Sequence, residues 1–251
     1  MSAASLAGRI ALVTGAAGGI GAATADALVA RGATVVLSDI NIDALETTMA
    51  RFRGGPHRAL KLDVTAEADW ETATEEVRAT FGKLDILVNN AGWGDRRLIF
   101  ETSFDQWKKL LAINLDSVFL GTRHMMPLLE ASGDAAIVNV SSIRGLVVGV
   151  GFGPYSAAKA GVHIFSKATA VECAATGRKV RVNSVHPGFV ATPIMLDMVG
   201  EAGIAERCRD VPQGRFALPE EIATAICFLA SSDASFVNGT ELIVDGGFTA
   251  I

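Results

Sequence analysis

Short apolar runs alternate with longer stretches of helical periodicity along the chain. The runs cover 10–14, 34–38, 58–62, 84–89, 135–140, 180–185 and 240–244. Most are nearly continuous in Val, Ile and Leu, as strands covered on both faces must be. Between them the pattern predicts helices at 19–31, 42–52, 67–81, 103–131, 154–176 and 219–230. Strand and helix in strict alternation predict an α/β fold: one doubly wound parallel sheet of about seven strands, helices on both faces and right-handed crossovers. With no linker, repeat or low-complexity segment, 1–251 is expected to form a single domain. Only 192–214 breaks the rhythm, carrying Met195, Met198, Gly200 and Gly203 before the last helix–strand unit. Ligands of open α/β sheets bind beyond the carboxyl ends of the strands, so this segment is the expected substrate lid.

Composition narrows the function. Half of the chain is apolar, enough for a large core, and the net charge is −5 with scattered basic residues, which argues against nucleic acid. Three cysteines, Cys173, Cys208 and Cys227, lack any paired or metal-binding spacing and read as reduced thiols of a cytoplasmic protein. The opening Met1-Ser2-Ala3-Ala4-Ser5 lacks the basic region of a signal peptide. The apolar stretch 10–30 is interrupted by Gly15, Gly18, Gly19, Gly21 and Asp26, so it reads as strand, turn and helix, not as a membrane span. No metal site is expected.

The turn Thr14-Gly15-Ala16-Ala17-Gly18-Gly19-Ile20-Gly21 joins the first strand to the first helix. Glycine there lets the backbone approach a pyrophosphate, whose charge the helix N-terminus stabilises. The spacing is neither GxGxxG nor a Walker loop, which sets ATP and GTP aside. Asp39, ending the second strand and followed by Ile40, stands where an acid would bond the adenosine ribose. Its competing reading is a cap on the next helix, for which Asn41 is an equal candidate. An acid at 39, with no Arg or Lys at 15–21 or 38–41, favours NAD over NADP.

Gly153-Pro154-Tyr155-Ser156-Ala157-Ala158-Lys159 puts proline at a helix start, with Tyr155 and Lys159 four apart on one face. Ser142 follows the 135–140 strand, and Tyr155 is the only tyrosine in the chain. Together with the glycine loop, Asn89-Asn90-Ala91-Gly92, Asn114 and Pro187-Gly188, in this order, the sequence resembles the short-chain dehydrogenase/reductase family over essentially its whole length. The resemblance implies a Rossmann-type fold. It implies Tyr155 as general acid/base, Ser142 as the second hydroxyl on the substrate oxygen, Lys159 as the cation beneath them and Asn114 in a proton path. A free phenol has a pKa of about 10, and Lys159 with a nicotinamide ring is expected to lower it. Gly15, Gly19, Ile20, Gly21, Asp39, Ile40, Asp63, Val64, Asn90, Ala91, Gly92, Pro187, Gly188, Val190 and Thr192 would line the cofactor with Tyr155 and Lys159. Thr192 would bond the carboxamide or merely cap the next helix, at even odds. His186 is expected to position backbone and not to act as a base.

Expected substrate contacts are Trp93, Ser142, Arg144, Phe152, Tyr155, Phe189 and Met195, with Met198 on the lid; most are apolar, which suits a hydrophobic cyclic, aromatic or steroid-like alcohol or ketone. Arg144 could bind a carboxylate, but a guanidinium reaching out to water is the preferred reading. The expected reaction moves a hydride between NAD(H) and a secondary alcohol or ketone. The rivals are an NADPH-dependent 3-oxoacyl-carrier-protein reductase, disfavoured by Asp39 and the acidic charge, and a non-catalytic NAD-binding protein, which need not keep Ser142, Tyr155 and Lys159 together. A methyltransferase would have no use for the Tyr-x3-Lys helix. The resemblance further implies a homotetramer packed through 103–131 and 154–176, and no membrane or nucleic-acid partner.

Overall fold

The computed structural model describes residues 5–52 and 54–250. Seven strands run β1 Ile10–Thr14, β2 Thr34–Asp39, β3 Arg58–Lys61, β4 Ile86–Asn89, β5 Ala135–Val140, β6 Val180–Pro187 and β7 Glu241–Val244. All pair in parallel, in the order β3-β2-β1-β4-β5-β6-β7. The order reverses between β1 and β4, which opens a crevice at their carboxyl ends. The helices are α1 Gly19–Ala30, α2 Ile42–Met49, α3 Glu67–Phe81, α4 Phe104–Leu111, α5 Ser117–Ser132, α6 Gly153–Ala175, α7 Pro193–Cys208 and α8 Pro219–Ala230.

Because side chains alternate across a strand, each apolar run feeds two cores. Ala11, Val13, Val35, Leu37, Val138 and Val140 pack with Leu28 of α1, Leu45 of α2 and Ile222 and Ile226 of α8. Leu12, Val36, Leu87 and Ile137 face the other way, onto Trp70 and Val77 of α3, Met125 and Leu129 of α5 and Cys173 of α6. Trp70 is fully buried, and its indole N–H donates to the Val64 carbonyl at 3.0 Å. Through the middle of the sheet runs a polar ladder: Asn89 donates to Asn139 (2.8 Å), Asn139 to Ser166 (2.9 Å) and Ser166 to the Val162 carbonyl (2.7 Å). Each buried polar group is thereby satisfied, and β4, β5 and α6 are locked in register.

Local chemistry sets the ends. Asn41 caps α2, Ser103 and Gln106 form a capping box on α4, and prolines sit in the first turns of α6, α7 and α8. The predicted elements are all present, with two differences. The helix expected over 103–131 is α4 and α5 joined by a π-helical turn, Ala112–Asp116. Asn114 in that turn donates to the Leu110 carbonyl (3.0 Å), diverting a group the helix ladder would otherwise use. The irregular segment expected at 192–214 is largely helix, α7, interrupted where Gly200 turns out of helical geometry (φ 63°, ψ 171°). None of the helices among the described residues is long and apolar enough to cross a membrane.

Candidate active site

The glycine loop lies at the crevice. Thr14 is buried at the end of β1, and its hydroxyl accepts the backbone N–H groups of Asn90 (3.0 Å) and Ala91 (2.9 Å). Asn90 answers by donating to the Thr14 carbonyl at 2.8 Å. The loop after β1 is thus clamped to the turn after β4. A Cβ on Gly21 would lie 2.1 Å from the Gly15 carbonyl oxygen, so no side chain fits there. No side chain caps α1, which leaves the first-turn N–H groups of Gly19, Ile20 and Gly21 open to an anionic group. Asn41, whose side chain accepts from Ala44, is the α2 cap, so Asp39 is not. The Asp39 carboxylate instead accepts from Ala17 of the loop (3.2 Å) and from Asn41 (3.0 Å). Ile40 is exposed beside it, and Asp63 and Val64 follow β3 at the same edge of the sheet. This uncapped cradle with an acid at its rim fits a dinucleotide.

Ser142, Tyr155, Lys159 and Asn114 converge beyond β5. Ser142 is nearly buried and starts a short turn, its hydroxyl accepting the Arg144 N–H at 3.1 Å. Two bonds pin that turn to α6: Ser141 donates to the Lys159 carbonyl (2.8 Å), and Lys159 Nζ donates to the Val140 carbonyl (2.9 Å). Lys159 Nζ stands 5.7 Å from the Tyr155 ring centroid, as the four-residue spacing requires. Asn114 is fully buried, donating to the Trp93 carbonyl (2.7 Å) and accepting the Trp93 N–H (3.2 Å). A Cβ on Gly92 would meet Asn114 Oδ1 at 2.9 Å and Lys159 Nζ at 3.3 Å, so this glycine lies between them.

Burial sets the electrostatics. It pulls the Lys159 ammonium down to about 8 and pushes the Tyr155 phenol above its ordinary value. The neighbouring Ser142 hydroxyl and the Arg144 charge pull the phenol back. In the protein alone the phenol is therefore raised, not lowered, and Arg144 is the cation that opposes the rise, where Lys159 was expected. His186 is fully buried, held between the Ser142 carbonyl (3.2 Å) and the Ser184 hydroxyl (2.9 Å), with burial bringing its pKa to about 4. A neutral imidazole with both nitrogens engaged supports the Ser142 backbone, as the sequence reading expected.

Pro187 ends β6, Gly188 donates to the Val244 carbonyl (3.0 Å), and Val190 is buried in a bridge to Ala217. Thr192 caps α7, accepting the Met195 N–H at 3.3 Å, and its methyl carbon is 3.2 Å from the place of a Cβ on Gly19. The capping role is therefore present, and α7 starts against the glycine loop. Phe152 meets the Tyr155 ring edge-on at 6.4 Å; Phe189 packs between Phe216 (5.3 Å) and Phe248 (5.5 Å). Met195 is half-buried and Trp93 is largely exposed, while the Met198 side chain lies outside what the structure describes.

Arg144 has aromatic neighbours that the sequence reading did not place around it. It is half-buried, its guanidinium carbon 5.1 Å from the Phe152 ring, 5.7 Å from Phe248 and 5.9 Å from Phe189. The aromatic rings flank the guanidinium, which stays partly exposed to water. Sequence reasoning quoted Thr14 in the glycine loop without giving it a role, and missed Asn139 and Ser141; all three hold the site without reaching it. Their only signal is a polar residue inside or just past an apolar strand.

Known proteins resemble this chain over nearly its whole length. The family model described as enoyl-(acyl carrier protein) reductase matches residues 15–249. A cyclopentanol dehydrogenase of Comamonas sp. (strain NCIMB 9872) is 44% identical over 246 residues, 96% of this chain and 97% of that one. An NADP-dependent (R)-specific alcohol dehydrogenase of Lentilactobacillus kefiri is 39% identical, over 98% of each chain. A solved structure from Agrobacterium tumefaciens, provisionally described as a gluconate dehydrogenase, superposes with a TM-score of 0.93 at 30% identity over 98% of both chains.

Proposed function

The chain belongs to the short-chain dehydrogenase/reductase family and is an oxidoreductase of secondary alcohols, and from that premise we propose that it interconverts a cyclic secondary alcohol and its ketone with NAD, Tyr155 moving the proton. The observation that carries this reading is the convergence of Ser142, Tyr155 and Lys159 on one wall of the crevice, opposite the glycine loop. The first-turn N–H groups of α1 would hold the pyrophosphate and Asp39 the adenosine ribose; Asn90, Ala91, Gly92, Pro187, Gly188, Val190 and Thr192 would line the remainder. Bound nicotinamide supplies the redox chemistry by giving or taking a hydride at the carbinol carbon.

This chain's own residues handle the proton and the charge. In the reducing direction Tyr155 donates its phenolic proton to the carbonyl oxygen; in oxidation the phenolate takes the proton of the alcohol. Ser142 donates a hydrogen bond to the same oxygen, stabilising charge where it develops. Lys159, held near 8, exchanges protons readily at neutral pH, while the Ser142 hydroxyl and the Arg144 charge favour the phenolate. Asn114, fixed in its π-helical turn, would extend the proton path beyond Lys159. Phe152, Phe189, Met195 and Trp93 would form an apolar wall for the ring, and α7 the lid above it. A cyclopentanol dehydrogenase among the relatives supports a cyclic substrate. The acid at 39 supports NAD, although one relative uses NADP. We assign the protein to the cytoplasm on its free thiols, and to a homotetramer on the family's habit.

The test is turnover of a panel of cyclic secondary alcohols followed by NADH fluorescence. Tyr155→Phe should lose at least about a thousandfold in kcat while binding NAD as before; near-normal turnover would overturn the assignment.

A further inference from the structure

We infer that Arg144 anchors a carboxylate carried by the cyclic substrate on the side remote from its carbinol; the inference rests on the dehydrogenase reading above. The backbone of Arg144 belongs to the turn that aims Ser142, since its N–H donates to the Ser142 hydroxyl at 3.1 Å. Its side chain then folds back among Phe152, Phe189 and Phe248. Phe152 also touches Tyr155, so the guanidinium and the phenol share one aromatic neighbour.

A guanidinium offers five N–H donors. One nitrogen of Arg144 donates to the Val148 carbonyl at 3.2 Å. No carboxylate among the described residues forms an ion pair with it. Arg144 borders an open cavity of about 530 Å³, whose wall also includes Val147, Val148, Arg209, Pro212 and Phe248. Asp210 is the single acid of that wall, set against two arginines. Arg207 and Arg96 add like charge around Arg144, and burial with those charges lowers its pKa.

A partly desolvated cation among like charges is unfavourable until an anion meets it. Rings on several sides restrict where the guanidinium can lie, and a guanidinium can meet a carboxylate in two parallel bonds. The apolar rings would meanwhile contact the carbocycle. A cation thus lies beside the ring that touches the proton donor, an arrangement that suits a hydroxylated ring acid.

The experiment compares three matched substrates with saturating NAD: a cyclic secondary alcohol, the same ring with a carboxylate, and the same ring with a carboxamide. Wild-type protein should favour the carboxylate over both neutral rings by roughly 10- to 100-fold in kcat/KM, mostly through KM. In Arg144→Met that ratio should fall towards one, and Arg144→Lys should restore only part of it. Equal turnover of acid and neutral rings by the wild type, or a preference that survives in Arg144→Met, overturns the inference and leaves the dehydrogenase reading standing. Turnover of none of the three overturns both.

Discussion

Asn41 takes the cap of α2, and the Asp39 carboxylate is thereby left to the glycine loop and the cofactor rim. Asp39→Ala should raise the NADP/NAD ratio of kcat/KM by about tenfold or more, read from initial rates with both cofactors. At His186 the linkage runs by pH. Its native pKa of about 4 lies below the ordinary 6.5, so between those values the unfolded chain binds a proton that the native protein refuses. Stability is therefore full above pH 6.5 and lost as pH falls towards 4, by roughly 3 kcal/mol from this group. Urea unfolding at pH 7.5 and 5 should show a smaller acid loss in His186→Gln than in wild type. Tyr155 and Lys159 were legible as a pair because their four-residue spacing is itself a signal, whereas Ser142 and Asn114 were expected only from the family resemblance. The setting of Arg144 was not legible, because a lone arginine does not announce the three aromatic rings around it, two of them far along the chain.

Strands and helices were legible because a doubly covered parallel sheet demands continuous apolar runs, and β1, β4 and β5 obey. The π-helical turn was not, since the 3.6-residue period runs through 103–131 without a visible slip and only the side-chain bond from Asn114 marks it. The extent of α7 was not legible either: Thr192 was read as one possible helix cap, but the glycines and methionines after it break the pattern. The glycine loop is the element least tolerant of change. Gly21→Ala would push a methyl group into the Gly15 carbonyl and force the loop away from α1. We expect NAD affinity to fall by about tenfold or more in calorimetry, with a stability loss of roughly 1–3 kcal/mol in urea.

At the scale of the molecule, α4, α5 and α6 present Phe104, Phe119, Ile164 and Val171 to solvent. Such apolar exposure on neighbouring helices fits burial against another copy. Light scattering should give a tetramer, and Phe119→Lys with Ile164→Lys should shift it to smaller species; a monomeric wild type would refute the assembly. The same molecule contains one tyrosine in its whole length, and that one is Tyr155. Protein grown on tyrosine labelled with carbon-13 at the hydroxyl-bearing ring carbon therefore yields a single NMR line. Its chemical shift reports phenol ionisation directly, with no assignment needed. Recording that line against pH, with and without NAD, turns the proton donor into its own spectroscopic probe.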